Sequence, residues 1–261
     1  MKMANEKGNG IKGSVLITGA SGGFGILFAQ QLEQLGYTLL LHGRDKARLQ
    51  LTLDTLKIPS KHRMLSSGLA ARKEVDELID QMLLEDDLVG LVNNAGFGVW
   101  GAFEMCESVP QLDVLRVDLI APVMLTHALL PGLKRKHGFI INVSSLAGES
   151  PLPYMSTYAA AKAGLSFWSE ALRAELQGMV TVVTLAPGPS STGFRDVSGA
   201  PKGKGRLFST SAEIVVSSAI KSLLQGGGYC IPGWRHKALW CLQKLMPRLL
   251  ALPIMARYLK P

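Results

Sequence analysis

Short apolar segments alternate with segments of helical periodicity along most of the chain. The apolar segments predict strands at residues 14–18, 38–41, 63–65, 90–92, 139–143 and 180–185. The periodic segments predict helices at residues 24–35, 45–56, 72–84, 112–130, 157–176 and 211–224. The predicted strands are apolar throughout, which is typical of parallel strands covered on both faces. The pattern therefore predicts an α/β fold with a single doubly wound parallel sheet and helices on both faces.

No internal repeat or interdomain linker interrupts this alternation, so the 261 residues are predicted to form one domain. We expect a core at residues 13–225, a Gly/Lys/Pro-rich loop within 189–210 and a C-terminal tail at 226–261. Hydrophobic residues make up 47% of the chain and charged residues 18%, and this composition excludes an intrinsically disordered protein.

The cysteines are odd in number and form neither a C-x-x-C motif nor a cluster with His; they are Cys106, Cys230 and Cys241. This spacing predicts reduced thiols in a cytoplasmic protein, with no disulfide framework and no metal site. Residues 1–12 are polar and lack the apolar segment of a secretory signal. No continuous apolar run approaches the ~18 residues that a membrane span needs.

The net charge of +8 is concentrated in the tail, where residues 226–261 contain six Lys or Arg and no Asp or Glu. The remainder of the chain is nearly neutral, which argues against a nucleic-acid-binding surface. Apolar residues recur at helical spacing within 239–250, although Pro247 and Pro253 would interrupt a continuous helix. Two interpretations remain open. The tail packs on the body or on a second copy, or it makes peripheral contact with an anionic membrane surface.

A glycine-rich turn directly follows the first predicted strand, and a helix follows the turn. Residues 18–25 read TGASGGFG. Glycines at this place permit a tight turn and let the backbone approach a diphosphate, which the helix N-terminus then faces with free N–H groups. The predicted cofactor-binding residues of the turn are Gly19, Ser21, Gly23, Phe24 and Gly25.

The end of the second predicted strand indicates which dinucleotide is bound. Residues 41–44 read LHGR, with no carboxylate where an acid would bind the 2′-hydroxyl of the adenosine ribose. The planar guanidinium of Arg44 suits a phosphate instead, so the sequence favours NADP(H) over NAD(H). Asp45 follows directly and could restrain Arg44.

Tyr158 and Lys162 lie four residues apart in the segment YAAAK, which places both side chains on one face of a helix. A nearby ammonium favours phenolate, so we expect Lys162 to lower the pKa of Tyr158 and suit it for proton exchange with a carbonyl or alcohol oxygen. Ser145 ends the fifth strand, where its hydroxyl could hydrogen-bond the reacting oxygen. Ser144 is an alternative of the same residue type.

These motifs together resemble the short-chain dehydrogenase/reductase family, whose fold is Rossmann-like. The resemblance covers about residues 14–224 and includes the glycine turn, the NNAG segment at 93–96, the Ser–Tyr–Lys set and the PG turn at 187–188. It implies that Tyr158 is the general acid–base, that Lys162 binds the nicotinamide ribose and that Ser145 polarises the substrate oxygen. It also implies further cofactor contacts from Asn94, Ala95, Gly96, Pro187, Gly188 and Thr192.

Two positions depart from the family pattern. Asp118 stands where the family usually has an Asn that supports a water-mediated proton path to the Lys. An Asp can accept the same hydrogen bonds and can also draw Lys162 into an ion pair, so we include Asp118 among the predicted catalytic residues. After the third strand, residues 66–69 read SSGL and lack the acid that the family usually has near the adenine.

The resemblance implies a substrate lid at residues 189–210. Lys202, Lys204 and Arg206 make this segment basic, which suits an anionic or carrier-bound substrate or a solvated loop. Phe194 and Phe208 line an apolar pocket or only anchor the lid.

The motifs and the resemblance together predict an NADP(H)-dependent oxidoreductase, and the resemblance and the basic lid imply a 3-oxoacyl thioester or another apolar ketone as its substrate. A reductase of small or steroid-like carbonyls is one alternative, and a non-catalytic NADP(H)-binding redox sensor or scaffold is another. The resemblance implies a homodimer or homotetramer.

Overall fold

The computed structural model describes residues 12–190, 193–194, 198–199, 209–245 and 248–260. Several residues singled out above lie outside these ranges, so their predicted roles stay predictions; they are Thr192, Lys202, Lys204, Arg206, Phe208 and Pro247.

One parallel sheet runs through the molecule in the strand order β3-β2-β1-β4-β5-β6-β7. The strands are β1 (Ser14–Thr18), β2 (Thr38–Gly43), β3 (Arg63–Ser66), β4 (Leu88–Asn93), β5 (Phe139–Val143), β6 (Thr181–Leu185) and β7 (Gly228–Cys230). Six of them were predicted within a few residues at their ends. The prediction missed β7, because three half-buried residues at the edge of a sheet make no recognisable apolar run.

Helices cover both faces of the sheet. They are α1 (Gly23–Gln34), α2 (Lys46–Asp54), α3 (Arg72–Leu83), α4 (Ser108–Leu115), α5 (Ala121–Arg135), α6 (Ser156–Glu175), α7 (Ala212–Leu224), α8 (Trp234–Leu245) and α9 (Arg248–Leu259). The doubly wound α/β prediction is confirmed.

Neighbouring residues of each strand enter separate cores on opposite faces of the sheet. On β1, Val15 and Ile17 pack with Phe28 of α1 and Val215 of α7. Leu16 of the same strand joins a second core, whose helical members include Val75, Leu78, Leu125 and Leu172. Successive strand side chains point to opposite faces, so a strand covered on both sides must be apolar at every position.

The predicted helix at 112–130 is longer and interrupted. It runs from Ser108 to Arg135, with a π-helical turn at Arg116–Ile120 between α4 and α5. The whole segment is long and apolar enough to cross a membrane by length and composition. One face of it is packed in the domain core, through Leu125, Leu129 and Leu133 among others, as in a core helix of a globular domain.

His42 is a buried polar residue near the end of β2. Its Nε2 lies 3.0 Å from the hydroxyl of Ser67, and Nδ1 has no hydrogen-bond partner within the described ranges. Burial lowers the pKa of His42 to about 4, because the charged ring would lose its hydration.

We predict that His42 makes the protein less stable in mild acid. The unfolded chain takes up a proton near pH 6.5, whereas the folded chain takes it up only near the lowered pKa. The free energy of unfolding should therefore fall by about 3 kcal/mol from this residue between pH 7 and 4. Urea unfolding followed by circular dichroism should show a shallower pH dependence for His42→Gln. The control His127→Gln, on the exposed surface of α5, should keep the wild-type slope. Equal slopes in all three proteins would contradict the prediction.

Candidate active site

The carboxyl ends of β1 and β4 are joined by side-chain hydrogen bonds. The Thr18 hydroxyl accepts from the backbone N–H groups of Asn94 and Ala95, both at 3.0 Å. The Asn94 amide in turn donates to the carbonyl oxygens of Thr18 and Gly19 at 2.9 and 3.0 Å. The strand order reverses between these two strands, and in doubly wound sheets ligands bind in the crevice at this place.

The glycine turn lies beside this crevice and has the shape of a phosphate cradle. Gly19 has a φ of +63°, and a Cβ on Gly19 would lie 2.8 Å from the Cα of Ala95. A Cβ on Gly25 would overlap the carbonyl oxygen of Gly19. The N-cap of α1, Gly22, makes no side-chain cap, so the first-turn N–H groups are available to an anion. The backbone therefore fits a dinucleotide diphosphate.

The predicted Ser–Tyr–Lys residues meet at the end of β5. Ser145 caps the 3₁₀ turn Leu146–Gly148 by accepting from the N–H of Ala147, and its hydroxyl is near enough to Tyr158 of α6 to oppose the rise of the phenol pKa. Lys162, one helical turn further on, donates to the carbonyl oxygen of Val143 at 2.9 Å. Its Nζ lies 5.8 Å from the centre of the Tyr158 ring. The three side chains can thus act on one substrate oxygen and the adjacent ribose.

Ser144 has a different role from Ser145. Its buried hydroxyl donates to the carbonyl oxygen of Lys162 at 2.8 Å and lies 2.7 Å from the hydroxyl of Ser166. Both contacts tie β5 to α6, so Ser144 fixes the position of the helix while Ser145 contacts Tyr158.

Asp118 lies in the π-helical turn and is fully buried. One carboxylate oxygen accepts from the backbone N–H of Phe97 at 3.0 Å, and the other pairs with Nζ of Lys162 at 3.1 Å. A Cβ on Gly96 would lie 2.8 Å from this second oxygen, so the glycine leaves room for the pair. The ion pair that the sequence allowed is therefore formed.

The electrostatics of Tyr158 differ from the expectation. Burial raises the pKa of Tyr158, the Asp118 carboxylate raises it further, and the hydrogen bond with Ser145 opposes both. The expected lowering of the Tyr158 pKa was wrong for this arrangement, because burial and, after it, the Asp118 carboxylate both raise that pKa. Burial also raises the pKa of Asp118, and Lys162 opposes that rise. Tyr158 is thus held as the protonated phenol.

A groove of about 430 Å³ lies beyond the ends of β2 and β3, and Arg44 and Ser67 line it. Glu74 of α3 lines it as well, and a Cβ on Gly68 would overlap the Glu74 carboxylate. A carboxylate therefore reaches the groove from the helix, although the loop itself has none. No sequence signal singled out Glu74, because an acid in the first turn of a helix is also explained by the helix dipole. Asp45 caps α2 by accepting from the N–H of Arg48 at 3.0 Å.

The predicted turn after β6 is covered by the tail. The Pro187 carbonyl oxygen accepts from the N–H of Leu146 at 2.9 Å, which joins the turn to the Ser145 segment. The ring of His236, in α8, lies where a Cβ on Gly188 would be. No motif in the sequence indicated that His236 contacts this turn.

A glycine cradle beside a Ser–Tyr–Lys cluster, at the carboxyl edge of a parallel sheet, defines a nucleotide-binding oxidoreductase that acts on CH–OH and C=O groups. The model of the short chain dehydrogenase family matches residues 13–202, and the chain belongs to this family.

Curated relatives with named activities match most of the chain. The ketoacyl reductase HetN of Nostoc sp. is 32% identical over 80% of this chain and 75% of its own length. The 3-ketodihydrosphingosine reductase of Bacteroides thetaiotaomicron is 32% identical over 70% of this chain and 65% of its own length. The very-long-chain 3-oxoacyl-CoA reductase of Emericella nidulans is 33% identical over 64% of this chain, but the match spans only 51% of that protein.

A solved structure has the same architecture over almost its whole length. The short-chain dehydrogenase from Sphingobium yanoikuyae, in complex with NADPH, superimposes with a TM-score of 0.81 and 25% identity. The match covers 89% of this chain and 92% of that one.

We predict that Asp118→Asn shifts the pH profile of alcohol oxidation to lower pH. The variant removes a charge that raises the pKa of Tyr158 and leaves the Lys162 ammonium unneutralised, so phenolate forms more readily. In the pH profile of kcat/KM, the limb that reports the ionisation of Tyr158 should move to lower pH by roughly one unit or more. The control Asp76→Asn removes an exposed carboxylate of α3 and should leave the profile in place. A shift equal to that of the control would contradict the prediction.

Proposed function

We propose that this protein reduces the carbonyl group of an apolar, acyl-type ketone to an alcohol with NADPH. The observation that carries the proposal is that Ser145, Tyr158 and Lys162 meet at the end of β5, beside a backbone cradle for the diphosphate.

The roles of the side chains follow from their contacts. The hydroxyls of Ser145 and Tyr158 hold the substrate oxygen, and Tyr158 donates its proton to that oxygen during reduction. Its raised pKa keeps the proton in place until the oxygen gains negative charge. Lys162 stays close enough to stabilise the phenolate that remains. The bound nicotinamide would supply the hydride.

An apolar wall beside Tyr158 supports an apolar substrate. The Phe194 ring centre lies 5.1 Å from that of Tyr158. Other apolar side chains in the same cluster are Phe97, Val99, Trp100, Leu152 and Met155. The names of the three relatives all describe reductases of long or acyl-type ketones, which favours a 3-oxoacyl thioester or a similar substrate over a small carbonyl compound.

The proposed preference for NADPH rests on Arg44. This side chain is exposed at the rim of the groove after β2, and the neighbouring acid, Asp45, is engaged as the cap of α2. Within the part of the chain that the structure describes, Arg44 forms no salt bridge with a carboxylate, so its guanidinium can bind the 2′-phosphate.

The oligomeric state and the location of the protein are proposed from its surface and its cysteines. Exposed apolar residues on α4, the π turn and α6 (Leu112, Ile120 and Phe167) support a homodimer or homotetramer. Three free cysteines support a reducing, cytoplasmic location.

We predict that Arg44→Ala weakens NADPH binding about tenfold and leaves NADH binding nearly unchanged, since only NADPH carries the 2′-phosphate. Fluorescence titration of both cofactors provides the measurement. Lys46→Ala removes a nearby exposed charge of α2 and serves as the control. An equal loss for both cofactors would mean that Arg44 does not select the phosphate.

We predict that Tyr158→Phe lowers kcat for ketone reduction at least ~100-fold while NADPH binding persists, because the proton donor is lost. NADPH oxidation would be followed by absorbance over a panel of ketones and 3-oxoacyl thioesters. Tyr37→Phe removes a hydroxyl from a tyrosine packed against Phe139 and is the matched control. Turnover that survives in Tyr158→Phe would reject the mechanism. NADPH binding without turnover by the wild type would favour the non-catalytic alternative.

A further inference from the structure

Over the residues up to Leu242, whose side chains the structure describes, two buried or half-buried side chains of α8, one helical turn apart, hold the helix to the domain. His236 is buried against Gly188, and its Nδ1 lies 3.3 Å from the hydroxyl of Thr210. The indole N–H of Trp240 donates to the Glu149 carboxylate at 2.7 Å. The other side chains of α8 up to Leu242 are exposed. The helix therefore presents most of its surface away from the domain.

This outward surface carries large exposed apolar side chains, and so does α9, which follows it in the sequence. On α8, Trp234 is 75% exposed and Leu242 is 54% exposed. On α9, Ile254 is 64% exposed and Tyr258 is 55% exposed. The sequence of α9 is apolar around most of its circumference, and a helix of this kind is normally covered by protein or lipid. We therefore expect a partner to cover this surface.

The charge of the C-terminal segment favours an anionic bilayer over a second copy of the same segment as the partner. No Asp or Glu occurs from residue 214 to the end of the chain, whereas seven Lys or Arg do. The 21 basic residues before position 214 nearly balance 20 acidic ones. Two tails packed on each other would bring like charges together, which is unfavourable. Exposed aromatic and aliphatic side chains among basic residues instead match the headgroup region of an anionic bilayer.

We propose that α8 and α9 form a docking surface for anionic lipid bilayers. Trp234, Leu242, Ile254 and Tyr258 enter the interface, and the neighbouring basic side chains contact the headgroups. The surface adjoins the entrance to the site, because His236 contacts both the turn at Gly188 and Thr210, which bridges Ser190 at the base of the lid. If the proposed function holds, an apolar ketone reaches the site directly from the membrane.

Flotation of the full-length protein with vesicles tests the proposal. Wild type should float with vesicles of phosphatidylcholine and phosphatidylglycerol at low salt, and at least tenfold less with phosphatidylcholine alone or in high salt. The triple variant R235Q/K237Q/R257Q should bind the anionic vesicles about 100-fold more weakly. The matched control R72Q/K73Q/K134Q removes three exposed charges of the body and should bind like wild type.

A second variant, W234S/I254S, tests the apolar part of the surface. It should also lose vesicle binding, and sedimentation velocity should show an unchanged oligomeric state. Absence of wild-type flotation with anionic vesicles, or equal losses in the two triple variants, would overturn the proposal. Dissociation of an oligomer by W234S/I254S would mean that a second copy covers the surface. NADPH turnover on a water-soluble ketone should be unaffected by the tail variants, which separates this test from that of the proposed function.

Discussion

The buried ion pair of Lys162 and Asp118 is the interaction on which the active site depends. It joins α6 to the π-helical turn between α4 and α5, and through the N–H of Phe97 it also holds the segment after β4. A buried charge without its partner is strongly unfavourable. Removing either residue would therefore leave the other as an unpaired buried charge and destabilise the fold. The pair therefore orients the lysine and sets the potential at Tyr158.

Close approach of backbone segments makes this arrangement possible. Gly96 leaves room above the ion pair. A Cβ on Gly148 would lie 2.6 Å from the backbone N of Ala163, so the 3₁₀ turn that Ser145 caps packs directly on α6. The small residues around Tyr158 thus serve tight packing of the helix as well as access for a cofactor. Because Ser145, Tyr158 and Lys162 lie on elements that touch at their backbones, their mutual distances have little freedom.

The electrostatic setting and the tail point to the same kind of chemistry. A phenol with a raised pKa stays protonated at neutral pH, so Tyr158 rests in the form that carries the proton for the proposed reduction. The apolar wall around Phe194 suits the hydrophobic substrate that we propose. A basic, apolar surface beside the lid base would bring such a substrate close, and α8 links that surface to Gly188 and Glu149 within the domain.

The sequence by itself determined the sheet, its helical covering, the glycine cradle and the Ser145, Tyr158 and Lys162 set. Most of these features depend on short-range rules, namely strand and helix periodicity, the i, i+4 spacing and the special conformations of glycine. The choice of Ser145 rather than Ser144 came from the family resemblance. Only the tertiary structure decided that Asp118 neutralises Lys162, that Glu74 reaches the groove across Gly68 and that His236 covers Gly188. It also decided the edge strand β7. Lys162 and Asp118 are 44 residues apart, a separation at which sequence spacing does not reveal a contact. Burial raises the pKa of Asp118 only once the chain has packed.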